Sequence, residues 1–340
     1  MKKIVILVLA LTLALILLTS CGKKGGAVTG EGLLAYLPQS SNGVVVLDMN
    51  RIMNTDAATK AIKEDKAFQK YQEFVQKTGI DPQKDLHFIA VGLAGDMTSK
   101  SVEPAVIVSM NYKKDDLLAK IKAEAKVEIQ ETTYNSVTLY TVPEEQGKKQ
   151  AYVAFLDASL IAGGSETSLK SVIDVYQKKS ESALKNEALS GILKGVRKDA
   201  MAWCAFSVPG DVMEKAASEN PMMANLKGLY GLTMLFDYKN KTLIAEIKGL
   251  NKDEAKNKEI ATMLDGLKAM GAMASTKEPG LGELLDKILI SSGPNDVTIS
   301  ADIPEDLLNK LKAKAEEKIQ GMIPKKPAGE EEAPKEEIKD

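Results

Sequence analysis

Ser182-Ala183-Leu184-Lys185 places a lysine one helical turn after a serine, and Lys77-Thr78-Gly79 supplies a K-T-G string. Together these are two of the three parts of one kind of serine nucleophile, in which a lysine activates the hydroxyl. Here K-T-G comes first and closes a predicted helix, and no S-D-N string accompanies the pair, so both read as chance matches. The chain has no G-x-S-x-G elbow, and its one histidine, His87, is the only imidazole available to a Ser-His or Cys-His pair. His87 stands beside Asp85 at a predicted strand start, where a structural or solvent-facing role is the simpler reading. Gly163-Gly164-Ser165 joins a predicted strand to a helix N-terminus, a place where amides can hold an anion. It lacks the lysine of a P-loop and the spaced glycines of a dinucleotide fingerprint, and reads as a helix entry. Asp48, Asp157 and Asp237 each end an apolar strand, where turn and cap hydrogen bonds explain them. The sequence therefore points to no catalytic residue, no cofactor and no enzyme.

Composition narrows the classes further. With 45 Lys+Arg against 47 Asp+Glu the formal charge is −2, and no basic domain stands out, which argues against nucleic acid as a partner. One His and two Cys cannot build a structural zinc site, so no metal is expected. Aromatics make up only 5% of residues, with one Trp, and offer few stacking platforms for sugars. Methionine is the clearer bias: Met201, Met213, Met222, Met223, Met234, Met263, Met270, Met273 and Met322 all lie in the second half. They fit a Met-tolerant core, or a surface that accepts varied apolar partners. On the second reading Met263, Met270 and Met273 are the candidate ligand-binding residues.

These residues must be positioned by regular elements. The β-branched run at 43–49 predicts a strand, followed by one helix over 57–77 capped by Asn54 or Asp56 and ended by Gly79. Strands at 87–93 and 104–110, a helix at 115–125, and hairpins at 127–142 and 151–162 lead to a helix at 166–178. After a connecting helix at 184–196, the second half runs strand (201–208), helix start (211–217), hairpin (232–247), long helix (251–274), hairpin (288–303) and last helix. Asn251 with Glu254 three residues on predicts a capping box for the long helix, whose apolar stripe holds Ile260, Met263, Leu264, Leu267 and Met270. Cys204 sits in 200–208, which alternates Ala202, Cys204 and Phe206 on one face, and reads as a small core hydrophobe. The element order repeats, with one extra strand pair in the first copy. The expected fold is α+β: two related domains, each a mainly antiparallel sheet with helices packed on one face.

The N-terminus carries an address. Met1-Lys2-Lys3 precedes an apolar run over 4–18, too short to span a bilayer permanently, and then Thr19, Ser20 and Cys21. The ending Leu18-Thr19-Ser20-Cys21 resembles the lipobox of bacterial lipoproteins. That resemblance implies cleavage after Ser20, a diacylglycerol thioether on Cys21 and an acylated amino group. The alternative is a signal segment that merely contains a cysteine. By the same resemblance Gly22, where an Asp would favour the inner membrane, implies the outer membrane facing the periplasm if the source has two membranes. The expected organisation is signal peptide 1–20, flexible tether 21–32, domains 33–180 and 181–322, and an acidic, disordered tail 323–340.

The L-P-x₅-V-V-V-L-D pattern at 37–48, the G-I-D-P turn at 79–82, and the strand, turn, strand, Gly-Gly-Ser, helix order at 151–172 resemble an uncharacterised family of bacterial lipoproteins of unknown function. The functional expectation is a lipid-anchored, non-enzymatic envelope protein that meets the membrane through Cys21 and binds or scaffolds another envelope protein. The alternative is a solute-binding lipoprotein that captures a small apolar or peptide ligand between its domains.

Overall fold

The structure, a computed structural model, describes residues 29–322 except 64, 96–101, 125–127, 143–149, 220 and 276–278. The lipobox with Cys21, most of the expected tether, and the tail at 323–340 lie outside the described residues. Twelve strands form one sheet in the order β11-β12-β10-β9-β8-β1-β2-β3-β7-β6-β5-β4. They are β1 (Ser41–Asp48), β2 (Leu86–Ala94), β3 (Glu103–Met110), β4 (Glu131–Tyr134), β5 (Val137–Val142), β6 (Ala151–Phe155), β7 (Leu160–Gly164), β8 (Ala202–Ser207), β9 (Gly231–Lys239), β10 (Thr242–Leu250), β11 (Ile288–Ser292) and β12 (Asp296–Pro304). Every neighbouring pair is antiparallel.

The helices between them are α1 (Met49–Met53), α2 (Asp56–Ile62), α3 (Asp65–Thr78), α4 (Pro82–Asp85), α5 (Lys114–Glu124), α6 (Glu166–Tyr176), α7 (Glu187–Leu193), α8 (Gly210–Glu219), α9 (Glu254–Ala274), α10 (Pro279–Asp286) and α11 (Glu305–Met322). The α+β class is as expected. Two separate sheets are not formed, because the opening strands of the two halves pair with each other, Val45 opposite Cys204 and Val46 opposite Trp203. The strand order runs outward from this seam in the same way on both sides: β1-β2-β3-β7-β6 matches β8-β9-β10-β12-β11, with β5-β4 as the extra pair.

Helices stand on both faces of the sheet, where one face was expected. The reason lies in β1, β2, β3 and β7, whose near-continuous apolar runs present hydrophobic side chains to both sides and need cover on each. On the first face Val44, Val46, Ala90, Ile107, Ala162, Trp203 and Leu235 pack under the 3₁₀ turn Glu31–Tyr36, α6 and α7. On the second face Val45, Val91, Val106 and Ile161 lie under Phe74 of α3 and Leu117 of α5. At the far end of this second face α9 covers Val297 with Ile260, and Leu284 of α10 and Leu307 of α11 cover Ala301 and Ile303. Leu33 and Leu34 are fully buried, which contributes about 1.5–3 kcal/mol each. The folded part thus starts at Gly30 and Glu31, slightly before the expected end of the tether.

Local chemistry also corrects several expected boundaries. The single helix over 57–77 is two, α2 and α3, and Thr55 caps α2 by accepting from Ala58 N at 3.1 Å. Asp253, not Asn251, caps α9, accepting from Lys256 N at 3.1 Å. Asn251 instead accepts from Asp253 N and is 4% exposed. The hairpins β4–β5 and β9–β10 turn through Asn135-Ser136 (φ 47° and 63°) and Asn240-Lys241 (φ 51° and 58°), the left-handed pair of a type I′ turn. Lys241→Gly relieves the side-chain penalty there and should raise stability by about 0.5–1 kcal/mol, read as a higher urea midpoint with an unchanged slope. At the seam a Cβ on Gly43 would come within 2.2 Å of the Phe206 ring. Gly43→Ala should therefore lower stability by about 1–3 kcal/mol in the same titration.

Candidate functional site

The groups singled out for chemistry are held apart or used up locally. Lys77 ends α3 over the second face, whereas Ser182 opens the 3₁₀ turn Ala183–Lys185, whose Ala183 packs in the first-face core. The sheet separates the two strings. His87 is half-buried in a bulge of β2 between Leu86 and Phe88. Asp48 caps α1, accepting from Arg51 N at 2.9 Å. Asp157 closes the β6–β7 turn by accepting from Ser159 N at 2.7 Å and Leu160 N at 2.9 Å. Ser165 caps α6, and Gly163 and Gly164 are buried in β7 opposite Val106 and Ala105. A Cβ on Gly164 would sit 2.7 Å from Pro104 O, so that glycine serves close strand approach. Burial pushes the Cys204 thiol up to about 11, which leaves almost no thiolate at neutral pH. Among the described residues no group of three or more His, Cys, Asp and Glu could hold a metal.

Among the described residues Asp237 is the one buried carboxylate. Its side chain is fully buried on the first face near the end of β9, against Arg51 Nη2 at 2.5 Å, Lys239 Nζ at 3.0 Å and Arg197 Nη2 at 3.1 Å. Arg51 also donates to Asp199 O at 2.7 Å, so the cluster ties α1, the loop before β8 and the β9–β10 hairpin together. Burial alone pushes the carboxyl pKa up, but hydrogen bonds from Lys239 and Arg51 outweigh this and hold it below its ordinary value of 3.8.

The second face of the strands after the seam is apolar. Register places Ala202, Cys204 and Phe206 of β8, Leu232, Met234 and Phe236 of β9, and Ala245 and Ile247 of β10 on it, with Tyr238 toward the end of β9. The first eight belong to none of the four buried clusters. Phe236 is 46% and Ile247 38% exposed, and the other six are half-buried. This floor lies between the cover of α3 and α5 on one side and that of α9 to α11 on the other. What the sequence did not show was which of these apolar side chains stay exposed.

The long helix α9 borders this floor. Lys268 on one flank donates to Ile288 O of the edge strand at 2.5 Å, and on the other flank Met263 Sδ lies 3.4 Å from Asn225 Nδ2, in the 3₁₀ turn Pro221–Leu226 that leads into β9. The flank with Met263, Leu267 and Met270 is thus turned toward the middle of the sheet. Met263 is half-buried, while Leu267, Met270 and Met273 are 41%, 67% and 76% exposed. Two of the three candidate ligand residues therefore stand out in solvent, Met270 on the flank toward the floor and Met273 on the side of α9 away from the sheet. A second depression, at the β4 edge, is lined by Lys122 and 128–132 and is polar, with Lys122 Nζ paired to Glu131 at 2.7 Å.

Residues 94–277, more than half of the chain, match the family described as "Protein of unknown function (DUF3352)". Among solved structures, crystal form III of TP0453 is 10% identical, with 83% of this chain and 97% of that one covered and a TM-score of 0.45. Crystal form I of TP0453 gives 9%, 83%, 96% and 0.44. No curated protein matches the chain.

The Asp237 cluster generates a pH prediction. Its folded pKa lies below the unfolded one, so its contribution is complete above about pH 5 and fades as pH falls through the depressed value. Arg51 and Arg197 keep 32% and 41% of their side chains exposed, so Asp237→Asn should cost about 2–3 kcal/mol at neutral pH, less than a wholly buried pair. The difference from wild type, measured by urea unfolding, should shrink as pH falls below the ordinary carboxyl value of 3.8.

Proposed function

Since the chain belongs to this family of proteins of unknown function, we propose from its own surfaces that it is a non-enzymatic, lipid-anchored envelope protein whose apolar sheet face holds another envelope component. The observation that carries the reading is the apolar floor of β8, β9 and β10, with Phe236 and Ile247 exposed on it and Leu267 and Met270 of α9 exposed beside it. A contiguous apolar surface of this kind marks an interaction site. The anchor comes from Leu18-Thr19-Ser20-Cys21, with Cys21 as the lipid attachment site. Several acyl chains hold a protein at a membrane where one does so only marginally. Gly22 favours an outer-membrane, periplasm-facing location in a cell with two membranes. The matching strand order on either side of the β1–β8 seam supports two related halves. The side-chain roles described above, with the nucleophile candidates capping, pairing or raised in pKa, support binding over catalysis. Phe236 and Ile247 stand exposed on this face, which favours a surface contact with a broad partner over a small solute enclosed between domains.

Two measurements test this. Cys21→Ala should abolish incorporation of a labelled fatty acid and move the protein out of the membrane fraction; retention in that fraction overturns the anchor. A photoreactive residue at position 236 in the full chain should give a discrete adduct in living cells. No adduct, with the same residue at an exposed control position equally silent, overturns the docking role of the floor.

A further inference from the structure

We propose that Met270 and Met273 of α9 form a reversible oxidation site, at which a peroxide or a hypohalous acid converts the two thioethers to sulfoxides and a thiol-dependent sulfoxide reductase restores them. This site stands apart from any docking role of the sheet face. Met270 and Met273 are 67% and 76% exposed, the two highest values among the large hydrophobic side chains of the described residues. Side chains held so far out in water contribute little to a core, so what distinguishes the two positions is their sulfur. Three residues apart on one helix, they are neighbours on its surface.

The other described sulfurs are shielded. Met110 and Met213 are 1% and 8% exposed, and Met49, Met53, Met201 and Met234 are half-buried. Met263 is half-buried too, and its sulfur accepts from Asn225 Nδ2 at 3.4 Å, which engages electron density that an oxidant must attack. Cys204 is half-buried, and burial pushes its thiol up to about 11, so it presents no reactive thiolate. The chemistry at the open pair balances without any other group. Each sulfur gives up two electrons as its S=O bond forms; the O–O bond of a peroxide breaks and its second oxygen leaves as water, or a hypohalous acid leaves as halide and a proton. On return, a dithiol supplies two electrons and two protons, becomes a disulfide and releases the sulfoxide oxygen as water. Oxidation makes these side chains polar where they already meet water, whereas the same change at Met110 or Met213 would break core packing. The pair on α9 thus reacts before the core does, and the fold survives the reaction.

The test treats the full chain with limiting hydrogen peroxide and maps sulfoxides by peptide mass spectrometry. Sulfoxide at positions 270 and 273 should form about tenfold or more faster than at 110 or 213, with the urea midpoint unchanged, and a methionine sulfoxide reductase with a dithiol should return both to methionine. Met270→Leu combined with Met273→Leu, which keeps helix propensity, should remove the fast phase of peroxide uptake and leave the slow phase as it was. In cells challenged with hypochlorous acid, the wild-type chain should carry sulfoxide at both positions, and the modification should disappear during recovery with protein synthesis blocked. Rates at 270 and 273 equal to those at 213 overturn the site, as does a fast phase that survives the double substitution. Sulfoxides that persist through recovery overturn its reversibility.

Discussion

The hydrogen bonds that β1 makes along both of its edges hold the whole molecule together. On one edge it pairs with β2 from Ser41 to Asp48, and on the other with β8 from Gly43 to Leu47. Both faces of the strand are covered, Val44 and Val46 by the 3₁₀ turn at the chain's entry and by α7, and Val45 and Leu47 by the α3–α5 side. A central strand with no free edge and no free face has one register available, since a slip by one residue would exchange its two sets of side chains. At the seam Gly43 makes room for Phe206, so the two halves meet through one small residue and one large one. Joined this way, twelve strands behave as one sheet, and each half lends the other its inner edge.

This central constraint decides where cover is present and where it stops. The first half crosses from β3 to β6 through α5 and the β4–β5 hairpin, and its last helix, α6, lies on the first face. In the second half the corresponding crossing uses α9 and α10, and the last helix, α11, lies on the second face. Strand β12 is thus covered on the second face, and β10 and β12 are polar on the first, where Glu246, Lys248, Ser300 and Asp302 project. Between these two sets of helices Phe236 of β9 and Ile247 of β10 stay exposed on the second face. The apolar floor is a consequence of how two repeated strand orders meet with unequal helices.

The polar interior obeys the same economy. Asp237 is buried where β9 passes under α1 and the loop before β8, and three cations converge on it. A buried carboxylate without them would not stay ionised, so its partners bind together segments far apart in the chain. Tyr112 does similar work at the other end, donating to Asp157 O and Leu160 O. Asp48, Asp157, Ser165 and Asp237, which looked free to do chemistry in the sequence, are caps and clasps of this sheet.

Periodicity and turn chemistry alone determined much of this protein: twelve strands close to their observed positions, the Asn-containing hairpins, the long helix with its methionines, the repeated element order, the α+β class and the absence of a coherent nucleophile set. These are local properties, written within a few residues of where they act. Pairing between β1 and β8, cover on both faces, the three cations around Asp237 and the exposure of Phe236 and Ile247 on the second face were decided only by the tertiary structure. Each depends on which distant segments meet, and alternation in a strand marks two faces without saying which of them a helix will reach. Phe236 and Trp203 show the difference: both are large aromatics in apolar strands, yet one is 46% exposed and the other 2%, because Trp203 faces the core under α7 and its neighbours and Phe236 points to the opposite side of the sheet.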